Sequence, residues 1–489
     1  MRLKATFLSF VIALFMFESA IGQNLFTRVY GGNSYDFGAE VIPTPDGGYL
    51  VAGTTGSFGL ESGQVMLIKT DSNGYEEWRK YYGDQYADQA ESMQLGIDNN
   101  LIIVGNTESP NNSYQFYAIK TTLNGDTIWT NSYGTDEWDF CRQAAVLSDG
   151  GYALFGTTYS TGEGDYYLIR INSDGDTLWT KTYGGIAEES GESIALAADG
   201  GFYLAGHTES FGAGKKDMYV VRTDEFGDTL WTKTFGGPED DFCYAVAVTP
   251  DAGYVLAGGT FNNTPGKSDF IVIKEDGTQQ WTRHDPHTGD NYWLDVMIEP
   301  ITANITAVGY FTEGGAGLED GRIIRIGADG IWNGVARGHG SAEDDRFYDV
   351  KLCSDGGYVM VGNTQGYLNR FDDVYLVRAD NLGISVGPEL GLDEIEIDGS
   401  TYDVSIGPNP FGDDFPTLFV QNFDGLMKNL SDNPEVKIYN SVGQLVYEQS
   451  VSSTATQLNF ESMESGIYYY QIISGRLILA TGKAVKLNQ

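Results

Sequence analysis

The chain has 489 residues, enough for two or more domains, and its 41% hydrophobic content is ordinary for a globular protein. It carries 68 acidic against 29 basic residues, a formal charge of -39, which repels phosphate backbones and disfavours nucleic-acid binding. The 64 glycines, 13% aromatic residues and only 13 prolines suit many short strands joined by glycine turns.

Residues 1–22 read as a secretory signal. Arg2 and Lys4 supply the positive start, "ATFLSFVIALFMF" is the apolar core, and Ala20 and Gly22 precede a cut ahead of Gln23. No later run approaches the ~18–20 apolar residues of a membrane helix, so no membrane span is expected. The three cysteines, Cys141, Cys243 and Cys353, are too few for a disulfide framework and read as small buried apolar residues.

From residue 23 to 386 the chain repeats. "DTLWTKTYGG" at Asp176 returns as "DTLWTKTFGG" at Asp228, and tryptophans at 78, 129, 179, 231, 281 and 332 are spaced 51, 50, 52, 50 and 51 apart. Turns such as "PDGGYLVAG" at 45, "SDGGYALFG" at 148 and "SDGGYVMVG" at 354 mark the same period, and seven turns stand against six tryptophans. "FTRVYGG" from Phe26 aligns with "WTKTYGG" from Trp179, so the N-terminal strand is expected to complete the last unit and remove the exposed sheet edges. Alternation of period two and hairpin pairs such as Asp276-Gly277 give four strands per unit. The expected fold is all-β: a seven-bladed β-propeller closed by the N-terminal strand, followed by a small immunoglobulin-like β-sandwich. The repeat order is similar to the propeller repeats of exported bacterial proteins called SBBP repeats, a likeness that implies no reaction.

An acidic linker, 387–402, leads to a smaller all-β segment, 403–489. Its markers are "GPNPF" from Gly407, "VKIYNSVGQLVYE" from Val436, "SGIYYYQI" from Ser465 and "GKAVKL" from Gly482. Together they resemble the type A C-terminal sorting domain of the type IX (Por) secretion system. The resemblance places the motif at Pro408, Asn409, Pro410, Gly443, Gly466, Tyr468, Gly482 and Lys483. It implies passage through the periplasm, recognition by the type IX machinery at the outer membrane, tail cleavage, and an extracellular or cell-surface destination.

Two groups of residues carry candidate chemistry. An acid follows each Y-G-G link: Asp36, Asp88, Asp139, Glu189, Asp241, Asp290 and Asp345. Seven carboxylates on one face offer oxygen ligands suited to Ca2+, and each equally suits capping of backbone N–H groups in its own loop. No other cofactor is expected. The repeat breaks at "WTRHDPHTGDNYWLD" and "IWNGVARGHG", which gather His284, Asp285, His287, Tyr292, Trp293 and His339 as a candidate ligand patch. The chain has no G-x-S-x-G elbow, P-loop or H-E-x-x-H motif. The favoured reading is a non-catalytic surface or secreted module that binds glycan or protein. A polysaccharide-acting enzyme using carboxylates of the variant loops, and a structural coat protein, are the alternatives.

Overall fold

The computed structural model describes residues 24–386 except 61, 262–266, 274–277, 285–290, 313–318, 342 and 367–370, and in the tail 404–407, 417–420, 434–440, 445–453, 455–458, 466–474 and 477–486. The expected signal (1–22) and acidic linker (387–402) lie outside the described residues. Among the described residues the fold is all-β, with no helix.

Residues 26–379 form repeated four-stranded antiparallel sheets, the arrangement of a β-propeller. The first sheet is made of strands Asp36–Pro43, Tyr49–Thr55, Gln64–Thr70 and Glu76–Tyr82, hydrogen-bonded in sequence order. Five more follow over residues 88–133, 139–183, 189–235, 241–284 and 291–339. A further sheet takes Asp345–Leu352, Tyr358–Thr364 and Asp373–Ala379 and adds the strand Phe26–Tyr30, which runs antiparallel to Asp373–Ala379 with Phe26 opposite Arg378. Second and third strands are almost wholly buried, as in Tyr152–Thr158 and Asp217–Thr223, whereas fourth strands alternate, as in Thr177–Tyr183.

The recurring W-T-K-x-Y segment is a docking strip between successive sheets. Trp129 and Trp179 pack against the hydrophobic cores beneath them, and Trp129 Nε1 donates to Ser173 O at 3.2 Å. The tyrosine that ends the same strand completes the clasp: the hydroxyls of Tyr82, Tyr133 and Tyr183 donate to the carbonyls of Gly125, Gly175 and Gly227 in the next sheet's hairpin, each at 2.7 Å. Those hairpin glycines have positive φ (Gly175 +88°, Gly227 +77°), and a Cβ would run into Asn131 Nδ2 at Gly175 and into the Trp179 ring at Gly227. The N-terminal strand makes the same clasp. Tyr30 donates to Gly74 O at 2.6 Å, and the Phe26 ring lies under Gly74 where the other sheets carry tryptophan.

A second set of joints runs along the first strands. Each has a bulge, as between Gly38 and Glu40 or Cys141 and Gln143, which frees one residue and turns the next toward the neighbouring sheet. Glu40 there accepts from Met93 N at 2.7 Å, Gln143 from Ile194 N at 2.8 Å, and Ser193 from Val246 N at 3.1 Å. Asp295 accepts from Val350 N at 3.1 Å, and Asp349 from Val41 N at 2.9 Å, which joins the last of these sheets to the first. The three cysteines are free and buried.

In the tail, strands Val404–Gly407, Thr417–Val420 and Ala455–Gln457 form one sheet. Leu445–Ser450, Glu435–Tyr439, Gly466–Ser474 and Leu477–Lys486 form another, in that order. Gly466 and Tyr468 start one strand of the four-stranded sheet, and Gly482 and Lys483 lie opposite Tyr470 and Tyr469 on its partner. Tyr468 is buried. Pro408, Asn409, Pro410 and Gly443 lie outside the described residues.

Candidate site on the link face

Hairpin connectivity puts the Y-G-G links and the loops after each second strand at one end of the sheets, and the D-G-G turns at the other. On the link end, the second residue of a first strand and the bulge residue two positions on project from the same strand end. Phe242 and Tyr244 occupy these places in one sheet, and Tyr292 occupies the first of them in the next.

These rings make a continuous aromatic surface. Phe242 stacks on Tyr244 with centroids 6.1 Å apart, Tyr244 meets Tyr292 at 6.0 Å, and Tyr292 meets Tyr310 at 5.3 Å. Phe261 closes against both Phe242 and Tyr292 at 6.2 Å. All five are half-buried, so their bodies are fixed while part of each ring stays open to solvent. Burial pushes the Tyr244 hydroxyl above its ordinary range, so it stays a neutral donor.

Charged residues come from the corresponding bulges. Arg142 sits between two carboxylates, 3.3 Å from Glu91 and 3.4 Å from Glu192, and its side chain is 41% exposed. Glu91 and Glu192 favour its charged form, while burial raises the Glu91 carboxyl against the pull of Arg142. His207 lies 5.2 Å from Phe242, ring to ring; burial, then Lys216 and Arg142, hold it down to about 3, which keeps the imidazole neutral.

Of the expected ligand patch, Tyr292 belongs to this surface. Trp293 does not: alternation turns it inward, where it is 1% exposed among Val255, Ala257 and Ile324, so its expected ligand role is corrected to packing. His339 is likewise corrected to a structural role, because it is buried with Nε2 3.0 Å from Gly383 O and Nδ1 3.0 Å from Ser385 Oγ. His284 ends a fourth strand opposite Asp269. Asp285 and His287 lie outside the described residues.

The acids after the links cap their own loops. Each accepts from the backbone N–H four residues earlier: Asp36 from Gly32 (3.0 Å), Asp88 from Asp84 (2.9 Å), Asp139 from Thr135 (2.5 Å), Glu189 from Gly185 (2.6 Å), Asp241 from Gly237 (2.8 Å) and Asp345 from Ser341 (2.5 Å). The expected seventh, Asp290, lies outside the described residues. The strand register gives its position to Asn291, which faces Phe311 where Asp241 faces Thr260 and Asp345 faces Thr364. Among the described residues no three of His, Cys, Asp or Glu gather into a metal-binding group, and six of these acids each cap a backbone N–H of their own link.

Sequence reading missed Arg142, Glu91, Glu192, Phe242 and Tyr244. Their signal lies in the first and third residues after each link acid, which change from copy to copy while their neighbours keep the pattern.

The tail is decided by its sequence. Residues 405–486 match the family described as the secretion system C-terminal sorting domain. The chain therefore carries the export address of the type IX system, which directs it to the cell surface or the extracellular space. Among the described residues no helix is long and apolar enough to cross a membrane. No curated protein matches the sequence.

Three solved structures are similar to the chain. PorZ, an essential bacterial surface component of the type-IX secretion system of Porphyromonas gingivalis, is 12% identical with a TM-score of 0.40; the match covers 92% of this chain and 59% of PorZ. Sqt1 from Chaetomium thermophilum is 12% identical with a TM-score of 0.44, covering 75% of this chain and 86% of Sqt1. The Neurospora crassa Pan2 WD40 domain is 10% identical with a TM-score of 0.44, covering 73% and 99%. None of these likenesses bears on function.

Proposed function

We propose that residues 23–386 form a closed seven-bladed β-propeller that binds glycan or protein on its link face, and that the sorting segment 403–489 delivers it outside the cell. The clasp of Phe26 and Tyr30 onto Gly74 and the hydrogen bond from Val41 N to Asp349 support closure, because both join the last sheet to the first. An expected signal at 1–22 and linker at 387–402 complete this organisation.

The observation that carries the binding reading is the half-exposed run of Phe242, Tyr244, Tyr292 and Tyr310 at the point where the repeat diverges. Flat aromatic faces take up the apolar face of a sugar ring or side chain, and a few fixed polar groups set orientation. Glu91, Arg142 and Glu192 provide such groups nearby. Both carboxylates are bound to one guanidinium, which suits recognition better than separate acid and base roles.

The test incubates the exported full chain with a panel of polysaccharides and cell-surface glycans, and measures retention and new reducing ends together. Retention without new ends is expected. New reducing ends establish a polysaccharide-acting enzyme instead, and the absence of both signals directs attention to protein ligands or a coat role.

A further inference from the structure

The Y-G-G link has a feature that loop capping leaves unexplained. At Gly236, a Cβ would collide with carboxylates from two strands, Asp217 at the start of a third strand and Asp241 at the start of the next sheet's first strand. Asp165 with Glu189 at Gly184, and Asp320 with Asp345 at Gly340, repeat this pairing. The glycine is there because two acids fill the space a side chain would take.

Asp217 and Asp165 find donors nearby. Asp217 accepts from Ala213 N and Gly214 N, both at 3.0 Å, and Asp165 accepts from Thr161 Oγ1 at 2.5 Å. Asp373, at the same register position opposite Thr364, finds none. It is fully buried, its carboxylate lies against Gly31, and neither oxygen has a hydrogen-bond partner. Asp36, also fully buried, uses Oδ2 for Gly32 N at 3.0 Å and Ser57 Oγ at 2.6 Å and leaves Oδ1 unpartnered. Asp372 beside them turns its side chain to Asn363 and Gln365.

We propose that Asp36 and Asp373 hold a hard divalent cation, Ca2+, at the seam where the N-terminal segment meets the last sheet. Three unpartnered carboxylate oxygens in a buried place are a strongly unfavourable arrangement without a counter-charge, and oxygen ligands of this kind suit Ca2+, with water and backbone carbonyls completing its shell. Asp36 N donates to Asp372 O at 2.7 Å, which sets the strand starts of Asp36 and Asp373 side by side. The neighbours Tyr35 and Phe37 are 49% and 37% exposed, so the pair lies one layer below the surface and the ion has a short way in. The formal charge of -39 favours uptake of a cation. Such an ion ties together the two ends of the repeat array after export.

The experiment measures thermal unfolding of the exported full chain in CaCl2 and in EGTA, with Tb3+ luminescence excited through tyrosine as a direct binding signal. The wild-type midpoint is expected to rise by about 5 °C in saturating CaCl2, and bound Tb3+ to be displaced by Ca2+. Asp373→Asn should lose the rise, whereas Asp217→Asn, altered at the same place in another sheet, should keep it. The proposal is overturned by an equal midpoint in CaCl2 and EGTA for the wild type, by an undiminished rise in Asp373→Asn, or, where that variant fails to fold, by wild-type Tb3+ luminescence that Ca2+ does not displace.

Discussion

Asp349 shows how a single buried acid links the sheets to pH. It accepts from Val41 N and pairs with Lys351, which also holds Glu40 Oε1 at 3.0 Å. Burial pushes its carboxyl up to about 6, against the pull of Lys351 and helped by Asp295. An unfolded aspartate titrates near ~3.9, so the folded state holds the proton more tightly. The stability this contributes is present below about pH 4 and is lost as pH rises through about 6. Asp349→Asn retains an acceptor for Val41 and removes the titration. Its denaturation midpoint should therefore fall less between pH 4 and 6 than that of the wild type; an unchanged slope contradicts the assignment.

At the scale of the element, the G-x-T glycine closes the second strand onto the bulged first strand. A Cβ at Gly206 would strike Ser190 O, and one at Gly105 would strike Gln89 O. Gly206→Ala is expected to cost about 2–3 kcal/mol by overpacking against backbone. Gly162→Ala, in open space at φ +111°, should cost only about 1 kcal/mol for its backbone conformation. Equal losses in chemical denaturation would contradict this account of the close approach.

The same element explains what the sequence disclosed. The fourth strand is legible because docking onto the next hairpin keeps Trp in six copies, three of them with Tyr four residues on, and Phe26 with Tyr30 marks the N-terminal strand by the same spacing. The link acid was misplaced by one residue because "WTRHDPHTGD" lost the Y-G-G anchor, which leaves only strand register to assign Asn291. Trp293 occupies the place of the buried Cys141 and Cys243, but its position in the stretch where the repeat breaks groups it with the candidate ligand patch. Arg142 and Tyr244 stayed hidden because a bulge shifts the alternation by one residue, and no local sequence pattern announces it.

Across the whole molecule the two ends of the sheets carry different groups. At the D-G-G end, buried cations answer the turn acids: Lys69 with Asp46 at 3.0 Å, Lys120 with Asp98 at 2.8 Å, and Arg222 with Asp199 at 2.7 Å. That end is stabilised from within, and the link end carries the open aromatic surface. Export depends on the tail, so removal of residues 405–486 should leave the protein in the periplasm; its efficient appearance outside the cell would contradict the sorting role.

The proposed binding role rests on the link face. Its most direct test compares retention of the exported chain on the polysaccharide and cell-surface glycan panel for wild type, Tyr292→Ala, Arg142→Ala and Phe226→Ala, the last on an exposed turn at the opposite end. At least a tenfold loss of retention is expected for the first two variants, equivalent to about 1.4 kcal/mol each, and none for Phe226→Ala. Equal retention by all four proteins would contradict it.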